Sequence, residues 1–199
     1  MRKVLFTLIA LIINISFLSA HEEPAKTLKE KNTKEKDRKE ILTKKIISYT
    51  VVNHSVINGT IGMKKEKYLI TEFDKKGNIY SMSVYKPGDS LDYKVIFTYD
   101  NNNNMITDTD LDPSGEVTAN LKFSYDDFNR VKEQYNYVKE NEFDSKFTYE
   151  IDEKNLTLLF TKFKPLDKIE YHIIYKYSKT VDWGNNVEII KQDPSGKLI

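Results

Sequence analysis

Asp108, Asp110 and Asp112 alternate along the chain and are followed by Gly115 and Glu116, a carboxylate run spaced like the start of a calcium-binding loop. The pattern fails where it matters, because Pro113 stands in place of the turn glycine and Ala119 in place of the bidentate Glu. On a strand these three carboxylates share one face, which leaves at most a weak surface cation site and, in the plainer reading, a solvated face. His21, His54 and His172 have no common ligand spacing, so no metal centre is expected. The chain holds no serine in a nucleophile elbow, no phosphate-cradling glycine loop and no paired acidic motif, so no catalytic residue and no cofactor are expected either. Glu133 is the odd carboxylate. It falls among Val131, Tyr135 and Tyr137, on the side expected to be apolar, where burial would perturb its pKa.

The side chains most open to a binding role are aromatic. Tyr93, Phe97, Tyr99, Phe123, Tyr125, Tyr135, Tyr137, Phe147, Tyr149, Tyr171 and Tyr175 form a stripe that suits an apolar ligand, a glycan or a partner's peptide. The competing assignment is that the same rings are simply core, since tyrosine in a half-open sheet keeps its ring dry and its hydroxyl wet.

What positions them is a repeat. Phe73-Asp74, Tyr99-Asp100, Tyr125-Asp126, Tyr149-Glu150 and Tyr175-Lys176 follow one another at steps of 26, 26, 24 and 26 residues, and Tyr85, Leu111, Tyr137 and Phe163 at a constant 26. A fixed period of this size means one supersecondary unit stacked several times. Within a unit the odd positions Tyr93, Val95, Phe97 and Tyr99 alternate with polar ones, as do Leu121, Phe123 and Tyr125, then Phe147 and Tyr149, then Tyr171, Ile173 and Tyr175. Alternation of this kind is a strand with one dry face. The intervening strands are expected to keep the same parity with less apolar residues: Ile79, Ser81, Ser83 and Tyr85; Met105, Thr107, Thr109 and Leu111; Val131, Glu133, Tyr135 and Tyr137. Turns such as Asp74-Lys75-Lys76-Gly77-Asn78 and Asp112-Pro113-Ser114-Gly115 are too short for a crossover helix. The fold predicted is therefore all-β: an antiparallel up-and-down meander of about ten strands, forming a single curled sheet or half-barrel.

Phe123-Ser124-Tyr125-Asp126-Asp127-Phe128-Asn129-Arg130-Val131 and Phe73-Asp74-Lys75-Lys76-Gly77-Asn78-Ile79 resemble the YDxxGxL core of YD repeats, the β-hairpin units of Rhs-like bacterial surface proteins. The resemblance covers about residues 68–191. The repeat glycine is kept at Gly77, with Asn103, Asn129 and Lys154 near the matching places. It implies a repeated hairpin sheet in an exported protein and brings no catalytic residue with it. Five units are too few to enclose a cargo, as much larger shells of this kind do.

The ends divide the rest. Met1-Arg2-Lys3, the apolar run from Val4 to Ile15 and Ser16-Phe17-Leu18-Ser19-Ala20 read as a signal peptide over 1–20. Residues 21–45 are a charged arm, disordered or helical, with apolar residues at one-turn spacing toward Ile41, Leu42, Ile46 and Ile47. Residues 46–199 are the hairpin-repeat domain, with Asn58-Gly59 as a turn in a degenerate first unit and an insertion near Val181–Asn186 in the last. No cysteine is present, so neither a disulfide nor a lipidated N-terminal Cys is available. With 31 basic against 30 acidic residues, no field draws in nucleic acid. Membrane contact is expected only through the signal peptide.

These readings combine into an exported, non-catalytic binding protein of a bacterial periplasm or cell surface, acting through its aromatic face or a sheet edge on a protein, glycan or apolar ligand. A periplasmic carrier of lipid or another apolar ligand is the alternative. An outer-membrane β-barrel is a further one, for which Ser81, Ser83, Thr107, Thr109 and Glu133 make a poor lipid face.

Overall fold

The computed structural model describes residues 36–57, 60–177 and 186–199. The expected signal peptide, the first part of the arm, the Asn58-Gly59 turn and most of the late insertion lie outside them. A helix, α1, spans 36–44. Eleven strands follow: β1 Ser48–Ile57, β2 Thr60–Phe73, β3 Ile79–Tyr85, β4 Leu91–Tyr99, β5 Met105–Leu111, β6 Val117–Tyr125, β7 Val131–Val138, β8 Glu142–Asp152, β9 Thr157–Lys164, β10 Lys168–Tyr177 and β11 Asn186–Gln192. They form one antiparallel sheet in chain order, with β1 and β11 at its two ends. The predicted meander is thus observed with eleven strands, and the sheet is open.

Several of the connections reuse a small set of hydrogen bonds. In the Asp74 turn the Gly77 amide donates to the Asp74 carbonyl at 3.0 Å and the Asp74 amide to the Asn78 carbonyl at 2.8 Å. The Asp74 carboxylate accepts from the Lys76 and Asn78 amides, both at 2.8 Å. Asp100 and Asp126 repeat this arrangement with their own turns. So do Asp112 and Asp193 at the other end of the sheet, where Ser114 and Ser195 add hydroxyl bonds of 2.6 Å. The third turn residue needs a left-handed backbone: Gly77 has φ 78, and Asn103 and Asn129 have φ 62 and 59. Asparagine tolerates that region better than other side chains, which is how the turn survives where the glycine is lost.

After the turn comes a feature the alternation pattern hid. Between the pairs Phe73↔Ile79 and Glu72↔Ser81, β3 advances two residues while β2 advances one, so Tyr80 is an extra residue, a β-bulge. The same slip makes an extra residue of Asp92, Ile106, Thr118 and Lys132, each the second of its strand, and of Asp144 and Glu170, each the third. The β8–β9 pairing has none. Because side chains alternate with a period of two, each bulge inverts parity between neighbouring strands. The intervening strands therefore do not keep the parity of the aromatic ones. Met82 and Val84, not Ser81 and Ser83, stand beside Val95 and Tyr93.

One face, called the aromatic face below, gathers Tyr49 and Val51, Leu69 and Thr71, Met82 and Val84, then the odd positions of β4, β6, β8 and β10. The other, polar face carries Ser81 and Ser83, Thr98 and Thr107, Asn120, Lys122, Glu133, Lys146 and Thr161. The core sits toward β8–β10, where buried Phe147, Leu158, Phe160, Tyr175 and Tyr177 cluster with Tyr149, Tyr171 and Ile173 beside them. Phe147 is fully buried. Its ring stacks on Phe160 at 5.2 Å, and Tyr149 meets Phe160 edge-on at 5.4 Å.

α1 covers the first turn. Ile41 is buried, Arg38 donates to the Lys76 carbonyl at 3.1 Å, and the Ile46 amide closes the helix on the Ile41 carbonyl at 3.0 Å. The helix backbone comes so close that a Cβ on Gly77 would lie 3.0 Å from the Arg38 carbonyl oxygen.

Candidate functional site: the aromatic face

The inverted parity divides the predicted stripe. Tyr93, Phe97, Tyr99, Phe123, Tyr125, Phe147, Tyr149, Tyr171 and Tyr175 share the aromatic face, at alternate positions of β4, β6, β8 and β10. Tyr135 and Tyr137 do not. They pair with Lys122, Asn120 and Lys146 on the polar face, where the Lys146 ammonium sits 5.2 Å from the Tyr135 ring centre and Lys122 4.8 Å from that of Tyr137.

Hydroxyl bonds hold the tyrosines of the aromatic face in place. Tyr99 donates to the Ile79 carbonyl at 2.8 Å, and Tyr125, one period later, to the Met105 carbonyl at 2.6 Å. Both acceptors are the first residues of the preceding strands. Tyr149 donates instead to the Gln134 side chain at 3.2 Å. Burial raises the pKa of all three, and it pushes that of Tyr125 to about 12. The rings are thus rigid and remain neutral across the physiological range.

Glu133 moves to the polar face with Tyr135 and Tyr137. Its carboxylate lies 2.8 Å from the Lys146 ammonium, whose hydrogen bond holds its pKa below the ordinary glutamate value despite partial burial. The expectation of an acid on the apolar side is corrected: the bulge at Lys132 turns it outward to a partner.

The aspartates move the other way. Asp108 pairs with Phe97 and Leu121, and Asp110 with Val95 and Ala119, so both stand on the aromatic face and are half-buried. Burial raises the Asp110 pKa. Asp112 parts from them and caps its turn, accepting from Ser114 and Glu116. The solvated row of three carboxylates is corrected to a half-buried pair and a turn cap. No cluster of three or more metal-ligating side chains occurs among the described residues.

Sequence reasoning also passed over Phe160 and Leu158, which join the aromatic face from β9. No bulge separates β8 from β9, so the two strands keep one parity across their turn, and no residue type in the sequence marks that difference from the other hairpins. An open depression of about 390 Å³ bordered by Tyr80, Phe97, Tyr99 and Lys75 adjoins the Asp74 turn.

No protein-family model matches the chain, and no curated protein matches it. Among solved structures, a Tc holotoxin pore from Photorhabdus luminescens aligns over 75% of this chain and 9% of its own, at 13% identity and a TM-score of 0.38. A porin-like protein from Bacteroides uniformis aligns over 65% of this chain and 59% of its own, at 12% identity and a TM-score of 0.30.

Proposed function

We propose that the protein is an exported, non-catalytic binding protein of the bacterial periplasm or cell surface, built of YD-like hairpin units, and that the aromatic face is its binding surface. What carries this reading is the gathering of nine of the aromatic rings onto one side of an open sheet, with Tyr99, Tyr125 and Tyr149 anchored there through their hydroxyls. Rigid aromatic side chains offer large contact area at small entropic cost on binding. The hydrogen bonds from Tyr99 and Tyr125 meet that cost during folding.

Support for export is the basic start, apolar run and small-residue end of residues 1–20. The outer-membrane alternative requires a closed strand order, and β1 and β11 are the ends of an open one. The carrier alternative requires a hollow interior, whereas the rings at β8–β10 pack against one another.

Replacement of Tyr125 and Tyr149 by Ala in one variant tests the reading. The double variant is expected to fold, judged by a native-like circular dichroism spectrum, and to lose whatever co-purifies with the wild-type protein. Unchanged co-purification would sink the proposal.

A further inference from the structure

The two edges of the open sheet end differently. Beyond β11 the chain turns at Asp193 and comes back along the free side of that strand: Gln192 bridges Leu198, and the Ile199 amide donates to the Lys191 carbonyl at 3.1 Å. β11 also carries Glu188 and Lys191. A covering segment and charged side chains are devices by which sheets keep an edge from pairing with another chain. β1 has neither. It pairs with β2 on one side and with no strand on the other among the described residues, and Ser48–Ile57 includes no proline and no Asp, Glu, Lys or Arg. Of the other strands only β3 is as free of charge, and β3 has a neighbour on both sides.

The register shows which backbone groups face out. The Phe73 amide donates to the Ile47 carbonyl at 3.0 Å, and in the same register Tyr49 and Val51 stand opposite Thr71 and Leu69. Hydrogen-bonded pairs alternate along an antiparallel ladder. Tyr49 and Val51 therefore turn their amides and carbonyls to β2, whereas Ser48, Thr50 and Val52 turn theirs to the free side. Regular pairing lasts to Asn53, where the register slips.

We propose that this edge binds a second copy of the chain, β1 against β1 in antiparallel, about a two-fold axis at Thr50. In that register Ser48 meets the partner's Val52, Thr50 the partner's Thr50 and Val52 the partner's Ser48, and about six hydrogen bonds close the two free edges. The side chains match as well. Tyr49 falls beside the partner's Val51 on the aromatic face, and the two Thr50 hydroxyls meet on the polar face, both favourable cross-strand pairs. A strand paired with its own copy sets charges near their like, so an uncharged strand suits this arrangement. Pairing of β1 with the partner's β11 would require the returned tail to leave. Closure at β1 instead leaves only the tail-covered β11 edges, so the assembly stops at two copies. The two aromatic faces then form one continuous surface.

Light scattering after size exclusion of the purified protein tests this, with an expected mass twice that of one chain. Thr50→Lys sets two ammonium groups against each other at the axis and is expected to weaken the dimer roughly tenfold or more. Ile189→Lys, at an exposed position on the β11 edge, is expected to leave it unchanged. Thermal melts establish that both variants are folded. Cysteine, which the chain lacks, reads the register: Thr50→Cys places the two Cα atoms about 5.5 Å apart, within disulfide reach, whereas Val52→Cys places them roughly 13 Å apart. Rapid oxidation to a covalent dimer is expected for Thr50→Cys alone. A monomer at every protein concentration, open-ended oligomers, a dimer that Thr50→Lys leaves intact or Ile189→Lys weakens, or equal crosslinking of the two cysteine variants overturns the proposal. If Thr50→Lys fails to fold, the cysteine pair still decides.

Discussion

The side-chain amide of Asn78 donates to the side-chain oxygen of Asn103 at 3.1 Å, linking one turn to the next across 25 residues of sequence. Asn104 does the same to Asn129 at 2.9 Å, and Arg130 reaches Glu153 at 2.7 Å. The turns at this end are therefore rungs of a polar ladder, each buttressing its neighbour. In a sheet with no second layer among the described residues, such links fix the spacing at which the aromatic strands present their rings.

Asn104 is buried and bonds both the Asp100 carboxylate and Asn129. Asn104→Ala removes the two bonds donated by the side-chain amide and keeps the backbone one, and is expected to cost about 1–3 kcal/mol. Urea unfolding followed by fluorescence checks it. A midpoint equal to that of the wild type would show that the ladder carries no weight.

Gly77 and Gly115 both have left-handed backbones, φ 78 and 88, but only Gly77 lies under α1, while a Cβ on Gly115 meets open space. Each Ala substitution carries a backbone cost of about 1–2 kcal/mol. Gly77→Ala is expected to cost more than Gly115→Ala and to speed tryptic cleavage within α1. Proteolysis followed by mass spectrometry distinguishes the two.

Asp110 has a pKa raised by burial, so the folded protein holds its proton more tightly than the unfolded chain does. The sign follows: this group penalises folding once pH climbs past its unfolded value, and the penalty is complete above its folded value. Asp110→Asn is expected to raise the melting temperature at neutral pH, with the gain vanishing in acid, below the unfolded carboxylate pKa. Calorimetry across pH reads this directly.

Glu133 behaves in the opposite sense. Its pKa is lowered, with the Lys146 hydrogen bond as the largest cause, so its contribution is present above the unfolded glutamate value and is lost as pH falls through the folded one. Solvent reaches both partners, which limits Glu133→Gln to a loss of about 0.2–1 kcal/mol. A loss confined to neutral pH and absent in acid is the expected profile.

The meander was legible because the aromatic positions and the Asp turns recur at one period, and both signals come from residues that must repeat if the unit does. The sidedness of the intervening strands was not. Strict alternation across Ile79, Ser81 and Ser83 ignores Tyr80, whose bulge inserts one residue after the turn. A bulge adds no distinctive residue type: Tyr, Asp, Ile, Thr, Lys and Glu all occupy it here. Its consequence is large all the same. It sends Tyr135, Tyr137 and Glu133 to one face and brings Asp108 and Asp110 to the other, so the candidate site gained its charge from a backbone feature that composition does not reveal.

The most direct test uses two adjacent residues on opposite faces. Leu121 belongs to the aromatic face and Lys122 to the polar face, and the chain contains no cysteine, so Leu121→Cys and Lys122→Cys each give a single thiol reporter. Labelling rates are compared for protein purified from its native source and for the same protein stripped of ligand by unfolding and refolding. The binding-face account predicts that bound ligand slows labelling at Leu121→Cys and leaves Lys122→Cys unchanged. Protection of Lys122→Cys alone, or of neither, contradicts it.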